Sequence, residues 1–134
     1  MIRQYTLARY ALARYALALL IAIPGTGFLA HAQEATERFI PIGQSPGLSG
    51  KETMLGEIRG VDANARSVEV ATSDRTYRVT VTDTTRIWID RSQHKLPAIT
   101  GTIADCQQGR EIEVKLADGR EDVADWIKVR PAAP

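Results

Sequence analysis

Between residues 68 and 89, apolar side chains recur at every second position in three successive sets: Val68 and Val70, then Tyr77, Val79 and Val81, then Ile87 and Ile89. In an extended chain neighbouring side chains point to opposite faces, so a period of two puts each set on one face of a half-buried strand. A helix would need its apolar residues three and four apart. On the strand carrying Val79, the alternate positions are Thr76, Arg78, Thr80 and Thr82. Apolar inward and polar outward is the pattern of an antiparallel sheet with one wet face. The chain is therefore a β protein.

The flanking sequence extends this pattern. Residues 53–61 predict a first strand with Met54, Gly56, Ile58 and Gly60 on one face, the glycines suiting a strongly coiled strand. Asp62 and Asn64 hold a turn, and further strands are predicted at 67–72, 76–82 and 85–89, with a tight hairpin at 73–75. A long polar connection, 90–101, leads into a helical turn at 102–109, with Thr102 as N-cap, Asp105 three residues on and Gly109 as the stop. Strands at 110–116 (Ile112, Val114 and Leu116 inward) and 121–129 (Val123, Ile127 and Val129 inward) flank an Asp118-Gly119 hairpin turn. The prediction is an all-β fold with one short helix: a small closed or partly open OB-like barrel of about six antiparallel strands. An SH3-like barrel or a small sandwich is the alternative. Closure hides the edges that a lone sheet would present.

The barrel is expected at 53–130, with a tail at 131–134. Residues 33–52 form a lead-in punctuated by Pro41, Gly43, Pro46, Gly47 and Gly50, in which Phe39, Ile40 and Ile42 are the strong apolar residues. It is either a partly docked arm or a flexible tether. Residues 1–32 read as a signal peptide. Arg3, Arg9 and Arg14 precede a short apolar run, and Ala30-His31-Ala32 supplies a cleavage site. The nine apolar residues 15–23 cover roughly 14 Å as helix against a hydrocarbon core of about 30 Å, so no stable transmembrane segment is expected after cleavage. The expected location is the periplasm or outside the cell. Cleavage removes three of the 17 basic residues and none of the 16 acidic ones, leaving a net charge of −2. That balance, with export, argues against a nucleic-acid partner.

Gly56-Glu-Ile-Arg-Gly-Val-Asp, Ser67-Val-Glu-Val, Tyr77-Arg-Val-Thr-Val, Thr84-Thr85-Arg86-Ile87, Gly109-Arg-Glu-Ile-Glu-Val and Ala124-Asp-Trp-Ile-Lys-Val together resemble the DUF5666 type of exported bacterial domain. The likeness runs from about Leu55 to Val129. It implies a small envelope or periplasmic β domain of unassigned activity, and it brings no catalytic residues. The chain departs from the pattern in the long segment 90–103.

No catalytic constellation emerges. Glu111 with Glu113, and Asp122 with Asp125, read as solvated strand faces, so an enzyme is not expected. No cofactor is expected either. After cleavage one histidine (His94), one cysteine (Cys106) and one methionine (Met54) remain, too scattered for a metal site. His94 and Cys106 are thus weak metal candidates, and a periplasmic metal or small-ligand carrier is the alternative function. Cys106 cannot form an internal disulfide; it is a buried small residue, an intermolecular bridge or a reactive thiol.

Two tryptophans fall on the polar phase of their strands. Trp88 lies between Ile87 and Ile89, and Trp126 between Asp125 and Ile127. Either the lead-in or the loop around Leu96 and Ile99 covers them, or they form an aromatic and basic surface with Arg78, Arg86 and Lys128. Such a surface suits an envelope protein, a glycan or an anionic small ligand. The function expected is therefore a non-enzymatic exported β-barrel domain for binding or scaffolding.

Overall fold

The computed structural model describes residues 36–132, so the expected signal peptide lies outside the described residues. Seven strands form one sheet: β1 (Thr53–Asp62), β2 (Ser67–Ala71), β3 (Thr76–Thr80), β4 (Arg86–Ile89), β5 (Ile99–Thr100), β6 (Glu111–Leu116) and β7 (Ala124–Val129). Their spatial order is β3-β2-β1-β6-β7-β4-β5. The sheet curls without closing along a full ladder. One isolated parallel bridge, Thr80 to Val123, brings the edge strand β3 back to the start of β7, and the Thr80 N–H donates to the Asp122 carbonyl at 2.6 Å. The result is all-β and OB-like, a partly open barrel.

The core fills the inside of the curl. Ile58, Val68, Val70, Val79, Val81, Ile87, Ile112, Val114, Ala124, Ile127 and Val129 are buried together, with Cys106 among them. These are largely the inward residues that period two selects. Two bulges bend the strands enough to curl. In β1 the register shifts between Ile58 and Gly60. Gly56 lies so close to β2 that an added Cβ would meet the Ala71 carbonyl oxygen at 2.2 Å, a contact only glycine allows.

Three expectations are corrected. There are seven strands, not about six, because the polar connection contains the two-residue β5. One pairing, β4 with β7, is parallel, since the chain after β3 continues along the sheet after a turn at 82–85 and does not fold back as a hairpin. In β7 the register shifts opposite Lys115 and Leu116. That bulge moves Ala124 into the core and leaves Val123, expected inward, half-buried.

The expected helical turn is a short 3-10 turn at Ile103–Asp105, with the Thr102 and Asp105 capping box in place and Gly109 at φ 85°. It carries Cys106 into the barrel floor. A second 3-10 turn, Ser92–His94, lies in the connection before β5. No helix among the described residues is long and apolar enough to cross a membrane.

Candidate binding face and cleft

The outer face of β6, β7 and β4 carries two cross-strand rows. Trp88 opposes Lys128, and Lys128 opposes Glu113. One row along, Arg86 opposes Trp126, and Trp126 opposes Lys115. Alternation alone puts these residues on the face away from the core, and the parallel β4–β7 register brings the two indoles side by side, ring centroids 6.0 Å apart. The Lys128 ammonium sits 4.7 Å from the Trp126 ring centroid, a distance at which the ring's negative face attracts the cation. Four of the five residues expected on an aromatic and basic surface are thus brought together. Arg78 is not: it lies on β3, exposed, and pairs across the strand with Glu69 at 2.5 Å.

Most of this face is buried, which is the covered one of the two arrangements that the sequence leaves open. Residues 36–52 cross it as a strap bonded to Lys128, Glu113 and Asp90, and on this face Trp88 is 5%, Trp126 2% and Lys128 1% exposed. Three strands hold the strap by side chains. On β7, the Lys128 ammonium donates to Glu37 at 2.9 Å and to the Ser45 hydroxyl at 3.0 Å, while Ser45 donates to Glu37. On β6, Glu113 accepts from the Gly43 N–H (2.8 Å), the Ser49 hydroxyl (2.5 Å) and the Thr53 hydroxyl (2.8 Å). After β4, Asp90 accepts from the Ile42 N–H at 2.9 Å and the Ser92 N–H at 2.8 Å. Burial penalises the Asp90 charge, but the Ser92 and Ile42 hydrogen bonds and nearby Arg130 outweigh that penalty and hold its carboxyl below the ordinary 3.8. Of the four apolar residues in the strap, Ile42 is buried, Ile40 and Leu48 are half-buried and Phe39 is 65% exposed, so one fully buried apolar anchor docks beside a polar clamp.

Glu113, expected on a solvated strand face, is fully buried. Two of its three donors, the Gly43 N–H and the Ser49 hydroxyl, come from a segment whose glycine and proline content promises no regular structure, so nothing in the local pattern signals those contacts.

One end of the face stays open. A cleft of about 380 Å³ is lined by Asp83, Thr84, Thr85, Arg86, Ile87, Trp88, Thr100 and Gly101. The turn between β3 and β4 forms one wall, and the β4–β5 pair forms the other. Thr85 spends its hydroxyl on the Ala124 carbonyl at 2.7 Å, fixing that turn to β7, and Asp83 pairs with Arg66 at 2.6 Å. Arg86, three threonines and Trp88 thus line one open space. Gly101 fits because a Cβ there would come within 3.0 Å of Ile89 and of the Asp105 carboxylate.

The weak metal candidates are not brought together. His94 is exposed in the turn after β4, whereas Cys106 is 2% exposed in the barrel floor. Burial, with Asp105 nearby, pushes the Cys106 thiol up to about 11, the reverse of what a reactive or metal-binding thiolate needs. An apolar groove of about 450 Å³ lies outside it, lined by Val61, Ile103, Ala104 and Gln107 among others. No group of three or more potential metal ligands is found among the described residues.

No family model matches the sequence, and no curated protein matches it. Among solved structures, the chain is similar to CusF from Escherichia coli, solved as a tryptophan-to-alanine variant with Cu(II). The identity is 16%, the TM-score is 0.40, and the match covers 57% of this chain and 88% of that one. A structure of CusF with Ag(I) matches at 15% identity and TM-score 0.38, over 57% of this chain and 93% of that one. At these scores the likeness is too remote to carry any argument about a site.

Proposed function

We propose that this chain is a non-enzymatic binding module acting outside the cytoplasm, and that its ligand seats in the cleft beside Arg86. The observation that carries the reading is that Arg86, Thr84, Thr85, Thr100 and Trp88 line one open cleft. A cation that can bond in the plane of a carboxylate or phosphate, together with hydroxyls and an aromatic edge, suits a small anionic ligand or an acidic sugar of an envelope glycan. The leader-like N-terminus and the resemblance to DUF5666 domains support the location.

Titration with carboxylated sugars such as glucuronate and N-acetylmuramate, followed by amide NMR, tests this. Saturable shifts centred on Thr84, Arg86, Trp88, Thr100 and Gly101, lost in Arg86→Ala, are expected. Shifts that are absent, or unchanged by Arg86→Ala, refute the cleft. The alternative of a metal carrier is separated by adding copper, silver or zinc. A metal-dependent rise in melting temperature that disappears in His94→Ala replaces the first reading with the second.

A further inference from the structure

We propose that residues 36–52 are a latch that opens as a unit from an intact barrel. When open, it extends the cleft over the Trp88–Trp126 pair, giving a platform for a flat ring that carries an anionic group.

Two features of the packing make the latch separable. The buried residues form two populations on opposite faces of the sheet: the barrel core includes neither Trp88 nor Trp126 nor Ile42, although all three are buried. Lifting the strap therefore uncovers a second, smaller cluster and leaves the core closed. The second feature is how the strap is held. Its backbone bonds in turns to itself, Phe39 N–H to Thr36, Ile40 to Glu37, Gln44 to Pro41, Leu48 to Ser45 and Lys51 to Leu48. The bonds described above that fix it to the sheet run through the side chains of Lys128, Glu113 and Asp90. The β1–β6–β7–β4 ladders need none of these bonds to persist. Segments joined to a fold by few apolar contacts and by side-chain bonds open at lower free energy than the sheet beneath them.

Opening would also change what the site can hold. Trp88 is shared: it lines the cleft and touches Trp126. With the strap away, the cleft beside Arg86 runs on to two indoles and the Lys128 ammonium, which has lost Glu37 and Ser45 and needs a new anion or hydroxyl. A ring lying on the indoles with a carboxylate or sulfonate between Arg86 and Lys128 would meet both demands. The platform rests on the binding reading above, but the opening does not.

The sequence contains two tryptophans in all, and both are buried on the face that the strap crosses, so indole fluorescence reports the latch. In the wild-type protein, native-state hydrogen exchange should show the Ile42 and Gly43 amides exchanging at least tenfold faster than those of Val114 and Ile127. In the double variant Glu37→Gln/Ile42→Ser, the emission should shift to the red and acrylamide quenching rise severalfold, with the β circular dichroism and a cooperative melt retained. The probe 1-anilinonaphthalene-8-sulfonate should bind that variant at least tenfold more tightly than wild type, and Arg86→Ala in the same background should reverse most of the gain. Equal exchange rates for Gly43 and Val114, or tryptophan exposure only where the β signal is lost, would overturn the latch. Exposure without a gain in probe binding would overturn the platform and leave the cleft to be judged by the sugar titration.

Discussion

Replacing Glu113 by alanine tests the clamp at its most buried point. Its carboxylate is fully buried and accepts three bonds, from the Gly43 N–H and the hydroxyls of Ser49 and Thr53. The Gly43 donor is fixed by backbone geometry and loses a charge-assisted bond with no replacement, a cost of about 2 kcal/mol. The two hydroxyls can turn. Thr53 already lies 3.4 Å from the Leu48 carbonyl, so each hydroxyl should cost only about 1 kcal/mol. Thr53 belongs to β1, so only the Gly43 and Ser49 bonds hold the strap; its closure in Glu113→Ala is then weaker by about 3 kcal/mol, and in Glu113→Gln, which keeps one carbonyl acceptor, by about half of that. The measurement is urea unfolding followed by two signals, indole emission for the strap and far-ultraviolet circular dichroism for the sheet. The indole transition should move to lower urea in the order wild type, Gln, Ala. A Glu113→Ala protein whose indole transition stays within about 0.5 kcal/mol of wild type would refute the assignment of Glu113 as an anchor.

Two further predictions concern the barrel itself. Gly56→Ala should cost more than about 3 kcal/mol in both signals, because the new methyl would sit 2.2 Å from the Ala71 carbonyl oxygen and must push β1 away from β2; equality with wild type in a melt would contradict the close approach. The Cys106 thiol should stay protonated in the folded state up to about 11, against 9.0 for an ordinary thiol. The unfolded chain ionises first, so stability falls as pH rises from about 9 to 11, by roughly 2–3 kcal/mol. Melting temperatures across that range should show the fall in wild type and a shallower one in Cys106→Ala.

The barrel was legible in the sequence because its signals are local. Val68, Val70, Val79, Val81, Ile112, Val114, Ile127 and Val129 fall into the core by alternation alone, and Asp118-Gly119, Thr102 with Asp105, and Gly109 mark turns and ends by residue type. The parallel β4–β7 pairing was not legible, since strand pairing depends on where the chain goes after the 82–85 turn. Nor was the Asp125 bulge, which turns Val123 away from the core and brings Ala124 into it. Phase did place both indoles outside the barrel. It could not decide whether solvent or protein would meet them, because the answer lies in contacts spanning 48 to 91 residues, Ile42 with Asp90 and Glu37 with Lys128.

The Glu37–Lys128 pair raises a question that hydrogen-bond geometry alone does not answer: whether it stabilises the strap or only selects where it lies. Both partners are nearly inaccessible, 4% and 1% exposed, so each has lost its hydration. Their mutual attraction in such a place recovers roughly what desolvation costs. Truncating one partner strands the other. Glu37→Met should therefore cost about 3 kcal/mol or more of strap closure, while Glu37→Met/Lys128→Met should return to within about 1 kcal/mol of wild type or exceed it. If selection is the pair's role, the double variant keeps its indoles shielded but loses a unique strap position, giving doubled or broadened amide signals for Ile42, Gly43 and Ser45. A double variant as unstable as Glu37→Met, with sharp single signals, would mean that the ion pair supplies closure energy outright. The weight of the clamp would then rest on Lys128 more than on Glu113.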